Sequence, residues 1–280
     1  MDEAKRSKFE IRPLTLDDKL IKDGLEAVGQ LKSVPLCIVG GIAVQSYLPT
    51  ACRRPTSDID MSIGMPLNYE AFREMAKPVI EFLQDHQYTT STEKASRNFK
   101  ICVQNQQAPE DKLVIESSRR NENNYEANRV RLEREIANAK VKTLEERKTS
   151  YVVAAPEDIA IPKIVRGVGA MSRNPALRKY ARKERIPLSP EIIQRLLAEI
   201  SELRAEVMMS PADPELTEEL RFFSDIYDVR ILSETAGFNP SYFALAFKEW
   251  NTLTTPGEDK EYLLASVLPV DLIEKIREAK

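Results

Sequence analysis

One short unit narrows the possible folds more than any other part of the chain. It is Cys37-Ile38-Val39-Gly40-Gly41, followed by Arg54-Pro55-Thr56-Ser57-Asp58-Ile59-Asp60-Met61-Ser62-Ile63. The pattern reads as an apolar strand, a double-glycine turn, a short helix, and a second strand with carboxylates at alternate positions. Residues i and i+2 of a strand share one face, about 6.5–7 Å apart along the backbone. Asp58 and Asp60 are therefore expected to point together, with Ile59 and Met61 packing on the other side. Two parallel carboxylates repel unless a cation lies between them, and hard oxygen ligands suit magnesium. A glycine pair before a helix lets backbone approach a ligand closely, and a helix start favours phosphate oxygens. Taken singly, Asp-x-Asp is also a common solvated turn and Gly-Gly an ordinary one. Together, with Arg54, Thr56 and Ser57 between them, they point to phosphoryl or nucleotidyl transfer. No Gly-Lys-Ser/Thr follows the glycines, so a Walker-type phosphate loop is unsupported.

The unit resembles the signature of the polymerase-β-like nucleotidyltransferase superfamily: strand, Gly-Gly or Gly-Ser, helix, then Asp-x-Asp on the next strand. In its detail, Gly40-Gly41-Ile42-Ala43 and Arg54-x-Thr56-x-Asp58-Ile59-Asp60, it is similar to the AbiEii-type branch. That branch includes toxins of bacterial toxin–antitoxin pairs and the MenT-like enzymes. The gap between Gly41 and Asp58 is longer than the superfamily's usual one, which implies extra residues between helix and strand.

At 280 residues the chain can bury roughly three quarters of its unfolded surface, enough for two cores. A net charge of −3 and a pI near 5.6 give no global sign of a nucleic-acid binder, although a local patch would suffice for one. Cys37, Cys52 and Cys102 are isolated, without CxxC spacing, and read as small apolar fillers in a reducing compartment. The single His86 cannot support a His-based metal site and makes neither a Ser–His nor a Cys–His mechanism attractive; it is expected at a helix end on the surface. No signal peptide or long apolar run is apparent, so the expectation is a cytoplasmic protein with no membrane partner.

Apolar spacing predicts a helix over about 15–31, a strand over 34–39, a short helix over 42–48 ended by Pro49, and a strand over 59–63. Asn68 is expected to cap a helix over 69–84, with strands to follow over 99–103 and 113–117. Helices over a small mixed sheet make an α+β or α/β class. Lys112-Leu113-Val114-Ile115-Glu116 ends an apolar strand in a carboxylate, where the superfamily usually carries its third acidic residue. By that resemblance Glu116 helps bind the catalytic ion and can take the proton of the attacking hydroxyl. By its residues alone it is equally the polar end of a strand. Arg119, just downstream, is a candidate phosphate contact. Residues 121–150 are highly charged; 128–136 reads as a helix and 140–145 as an edge strand. Their arginines and lysines alternate with glutamates, so a solvated face is the first reading and an RNA groove the second.

Tyr151–Ala154 reads as a strand that stops at Pro156-Glu157-Asp158, a strong helix-initiation signal. Pro162 within the following pattern predicts a kink or a late start. Lys163 on that apolar helix either snorkels to solvent or, aimed at a pocket, neutralises triphosphate charge. The segment Ala155-Pro156-Glu157-Asp158-x-x-x-x-Lys163 is similar to the second AbiEii-type motif, which favours the functional lysine. From Pro175 on the chain reads as nearly all helical. Asp225 and Asp228, three apart on a helix and flanked by Phe222, Phe223, Ile226 and Val229, need a partner such as Lys163 or Arg54. The family's third motif is an Asp-x-x-Asp on a helix after a basic residue; here Ser224 precedes it, and the longer separation from Lys163 implies an insertion around 171–214.

The resemblance thus implies an α+β, polymerase-β-like nucleotidyltransferase fold over residues 1–154 with a small mixed sheet, and a helical C-terminal domain over 155–280. It implies a magnesium-dependent nucleotidyltransferase moving a nucleoside monophosphate from an NTP to an acceptor. Asp58, Asp60 and Glu116 would bind the metal, with Lys163 as a further catalytic residue. Gly40, Gly41, Arg54, Thr56, Ser57, Arg119, Asp225 and Asp228 would serve the nucleotide. It further implies a tRNA or other RNA acceptor, with a basic path near Arg119–Arg134 and Lys179–Arg185, and a cognate antitoxin protein as partner. The alternatives are a transferase acting on a protein or small-molecule hydroxyl, and a nucleotide-binding interaction protein of the same fold without catalysis.

Overall fold

The computed structural model describes residues 12–181, 188–251 and 257–278. They fall into two compact units. The first runs to Ser46 and resumes over Arg53–Ala155; the second takes Tyr47–Cys52 and the chain from Pro156 onward. The class is α+β, with a helical C-terminal part that contributes no strand among the described residues, as expected.

The first unit is built on a mixed sheet, in which the described strands are β1 (Leu36–Val39), β2 (Asp58–Ile63), β3 (Tyr88–Lys94), β4 (Asn98–Asn105), β5 (Lys112–Ser118), β6 (Lys140–Leu144) and β7 (Thr149–Val153). Their order is β3-β4-β5-β2-β1-β7-β6. The pairs β2–β5 and β1–β7 are parallel and the rest antiparallel. One face is apolar: Ile38, Ile59, Ile63, Ile101, Ile115 and Val153 are fully buried there. Helix α1 (Lys19–Val28) packs on this sheet and on α3 (Tyr69–Asp85), which in turn packs on β3 and β4. The Asn68 side chain accepts from the Ala71 N–H, the expected cap.

Two short helices, α4 (Glu122–Glu126) and α5 (Arg129–Ala137), follow β5. The second packs against β1, where the Cys37 Sγ lies 3.9 Å from the buried Glu135 carboxylate. The edge strand β6 stands where the alternation of residues 140–145 placed it, joined to β7 through Lys148 in a left-handed turn. Strand β3 was not expected. Its Thr-Thr-Ser-Thr-Glu-Lys run has few apolar residues because it forms the opposite edge of the sheet and buries little beyond Tyr88.

Between β1 and β2 the chain makes α2 (Gly40–Gln45), a 3₁₀ turn (Thr50–Cys52), and an extended return. The helix begins at Gly40, two residues earlier than the apolar pattern indicated. The extra length inferred between helix and strand is the stretch Tyr47–Cys52, which belongs to the second unit.

The second unit comprises α6 (Pro156–Arg173), α7 (Pro190–Met209), α8 (Pro214–Thr235), α9 (Pro240–Asn251), α10 (Gly257–Val267) and α11 (Val270–Glu278). Ser189 and Asp213 cap α7 and α8, each followed by proline at the first helical position. Helix α6 packs against α8, α9 and α10, and its Ile161, Ile164, Val168 and Met171 form the centre of the core with Phe222, Val229, Phe243 and Leu263. It starts at Pro156 and runs through Pro162, so the late start does not occur. The Tyr227 hydroxyl donates to the Cys52 carbonyl at 2.6 Å, tying the 3₁₀ turn to α8.

Candidate metal centre

The second face of the sheet is polar at its middle, and sheet register explains why. In β2, Ile59, Met61 and Ile63 take the core face, so Asp58 and Asp60 take the other. Strand β5 lies parallel to β2 with Glu116 directly beside Asp60. Asp58, Asp60 and Glu116 each place a carboxylate oxygen so that the three lie within 4.8 Å of one another. Asp58 and Glu116 are buried and Asp60 half-buried.

The segment leading into β2 is held on both sides. Leu14 and Thr56 exchange two backbone hydrogen bonds of 2.6 and 2.7 Å. The fully buried Gln45 donates from Nε2 to the Arg54 carbonyl at 2.9 Å and accepts from the Leu16 N–H at 2.6 Å. The Thr56 hydroxyl then donates to Asp58 Oδ1 at 2.7 Å and orients that carboxylate. Gln45 and Leu14 carry no sequence signal of this role, because the partners they join are distant in the chain.

The glycines have a local reason to be glycines. Gly40 has φ +72°, and a Cβ there would sit 1.9 Å from Asp60 Oδ2. A Cβ at Gly41 would sit 2.8 Å from the Thr56 hydroxyl. The pair makes room for the acid strand's own side chains, and no larger residue fits at Gly40 without moving Asp60.

Three carboxylates offer a hard, all-oxygen donor set. The donor set fits a hard divalent cation. A basic residue stands beside it: Lys100 Nζ lies 3.8 Å from Glu116 Oε2.

The other expected nucleotide contacts are more dispersed. Arg54 Nη1 donates to the Pro55 carbonyl at 3.4 Å. Ser57 is buried, and its carbonyl accepts from the Val114 N–H at 3.3 Å, joining β2 to β5. Arg119 is not brought to the carboxylates. Its guanidinium donates to the Ala95 and Ser96 carbonyls at 3.2 and 2.8 Å and lies over the Phe99 ring, bracing the β3–β4 turn.

The arginines downstream are largely engaged with neighbouring acids, Arg129 with Glu126 and Glu133, and Arg131 with Glu135. Of the second basic stretch, Lys179 pairs with Glu219, and residues 182–185 lie outside the described residues. His86 stacks on Phe82 at the exposed end of α3, as expected. Burial, with Glu93 adding to it, pushes the Cys102 thiol up to about 11, and Cys37 and Cys52 are buried. Burial raises the Cys52 thiol as well, so neither Cys52 nor Cys102 has the thiolate character of a nucleophile.

In the second unit, Lys163, Asp225 and Asp228 come together. Lys163 Nζ is 3.0 Å from Asp225 Oδ1 and 2.9 Å from Asp228 Oδ2, all three side chains being at most 6% exposed. Arg166, which no motif indicated, grips Asp225 with both oxygens, Nε at 2.7 Å and Nη2 at 2.9 Å. It lies one turn beyond Lys163 on α6, and the i to i+3 spacing was the available signal. Burial by itself would raise the Asp225 pKa, but Lys163 and Arg166 more than offset it and hold that carboxyl well below the usual range.

No protein-family model and no curated protein sequence matches the chain. Solved structures similar to it include an antigenic nucleotidyltransferase-like protein from Paracoccidioides brasiliensis, at 12% identity, 94% of this chain and 99% of that one, with a TM-score of 0.41. Another is MenT4, a nucleotidyltransferase toxin from Mycobacterium tuberculosis H37Rv, at 12% identity and 94% of both chains, with a TM-score of 0.32. Among the described residues no helix is long and apolar enough to cross a membrane.

Proposed function

We propose that the protein is a nucleotidyltransferase of the polymerase-β-like superfamily, AbiEii/MenT-like, that uses magnesium at Asp58, Asp60 and Glu116. The observation that carries this reading is the convergence of three carboxylates from two parallel strands onto one level of one sheet face, behind a glycine whose missing side chain admits Asp60. In the reaction, the acceptor hydroxyl oxygen forms a bond to the α-phosphorus of an NTP, the bond from that phosphorus to the β-phosphate oxygen breaks, and pyrophosphate leaves. A magnesium ion held there would offset triphosphate charge and polarise the α-phosphate. Asp58, fixed by Thr56, and Asp60, fixed against Gly40, orient the donor; Glu116 takes the proton of the acceptor hydroxyl. Gly40 and Gly41 leave bare backbone beside Asp60 for the triphosphate, with Arg54 and Ser57 next to it in sequence.

The sequence resemblance supports three further parts of the proposal. Lys163 neutralises charge on the triphosphate, and Asp225 and Asp228 order its ammonium. The acceptor is RNA, with tRNA 3′ ends first, and a cognate antitoxin binds the protein. The test is label transfer: purified protein, magnesium, each α-labelled NTP in turn and total cellular RNA, with Asp58→Ala/Asp60→Ala as control. Label in tRNA-sized species with the intact protein alone supports the whole reading and names the base. Label on protein or a small molecule keeps the transferase and removes the RNA acceptor; label nowhere removes the transferase.

A further inference from the structure

Lys100 lies in no motif, yet the sheet delivers it to the carboxylates. In β4 the side chains of Phe99, Ile101 and Val103 are buried on the core face, so Lys100 takes the other. Register sets Lys100 directly across from Glu116, and Glu116 directly across from Asp60. The three form one cross-strand row, in which neighbouring Cβ atoms are about 4.5–5.5 Å apart.

The Nζ–Oε2 separation of 3.8 Å is an ion pair but too long for a hydrogen bond, and the lysine side chain is 23% exposed. The ammonium is thus held by charge rather than by a directional bond, on a flexible four-carbon stem that reaches solvent. A positive charge at that point does two opposite things. It offsets the mutual repulsion of the carboxylates, and it repels any cation that comes to them.

Resting on the metal centre proposed above, we infer that Lys100 is a tethered counter-ion of the triad: it holds Glu116 when no divalent cation is bound and turns away when one arrives. Metal binding is then an exchange of one cation for another, and Lys100 sets the concentration at which the exchange occurs.

The test is Mn²⁺ binding, followed by calorimetry and by the loss of the free-ion paramagnetic signal, on wild type and Lys100→Met, which keeps the stem and removes the charge. Removing a like charge near a divalent ion in a largely aqueous surrounding is expected to tighten binding roughly tenfold. Melting without metal should fall in Lys100→Met and recover in saturating Mn²⁺, widening the gap between the two states. Lys100→Gln should behave as Lys100→Met, and serves in its place if that variant does not fold. Lys100→Arg, which restores the charge, should bind as wild type does.

Equal or weaker Mn²⁺ binding by both uncharged variants overturns the inference and leaves the triad as a metal centre. Tight binding by Lys100→Arg also overturns it, because charge would then not be the cause. No Mn²⁺ binding by wild type, or binding indifferent to Asp58→Asn and Asp60→Asn, overturns the metal centre and the inference together.

Discussion

The molecule contains two groups of clustered acids, and they are built in opposite ways. In the helical unit, Lys163 lies 2.9–3.0 Å from both Asp225 and Asp228, with these three side chains at most 6% exposed, and the more exposed Arg166 lies 2.7 Å from Asp225. In the sheet unit, three carboxylates converge on one another within 4.8 Å, with Lys100 at ion-pair distance from one of them. The first arrangement is satisfied by the chain itself and contributes to holding α6 against α8. The second brings like charges together, an arrangement whose repulsion a bound cation would offset.

The sharpest way to break this contrast is to remove one charge from each group. Lys163→Met takes the ammonium from two buried carboxylates and should cost about 3–5 kcal/mol, read as a lower urea midpoint. Asp60→Asn, which takes one charge from a cluster of like charges, should cost much less by the same measure. Equal destabilisation by the two would end the distinction. The acid response sharpens it further. Asp225 has its folded pKa held below the unfolded value near 3.9, so the unfolded chain binds the extra proton. Its contribution is therefore fully present above about pH 4 and lost as pH falls toward the folded value. In Asp225→Asn the acid limb of the stability–pH curve should flatten, as followed by circular dichroism from pH 6 downward.

On activity, Asp60→Asn should lower label transfer by at least about 10²–10³-fold while the melting temperature holds, measured by single-turnover assay. Gly40→Ala should follow, at about 1–3 kcal/mol of stability, because it puts a side chain at φ +72° and onto Asp60; Mn²⁺ affinity should fall with it. Arg119→Ala should be smallest, below about 1 kcal/mol by thermal melting, with Mn²⁺ affinity unchanged, as it loses surface contacts to the β3–β4 turn. A strong loss of cation binding in that variant would restore Arg119 to the site.

Several elements followed from neighbours in the sequence. The Asn68 cap, the helix start at Pro156, the alternation that turns Asp58 and Asp60 to one face, and the edge strand at residues 140–144 all rest on interactions spanning a few residues. Where the local signal was weak or contradictory, expectation and structure part. Strand β3 has little apolar alternation because, as an edge strand among those described, it buries little beyond Tyr88. Pro162 lies inside α6 because forgoing one backbone hydrogen bond costs less than giving up a helix buried on several sides.

The sequence alone therefore determined the residue chemistry and the local geometry: two acids on one face, glycines ahead of them, a third acid ending a strand, and an acid pair on a helix. Tertiary structure decided which of these charges meet. Glu116 reaches Asp60 through the parallel register of β2 and β5, Lys100 reaches Glu116 through the antiparallel register of β5 and β4, and Arg166 reaches Asp225 through the packing of α6 on α8. The physical reason is range. Turns, caps and side-chain alternation are fixed by torsions and hydrogen bonds among near neighbours, whereas register and helix packing are fixed by the whole core's burial and are written in no single segment.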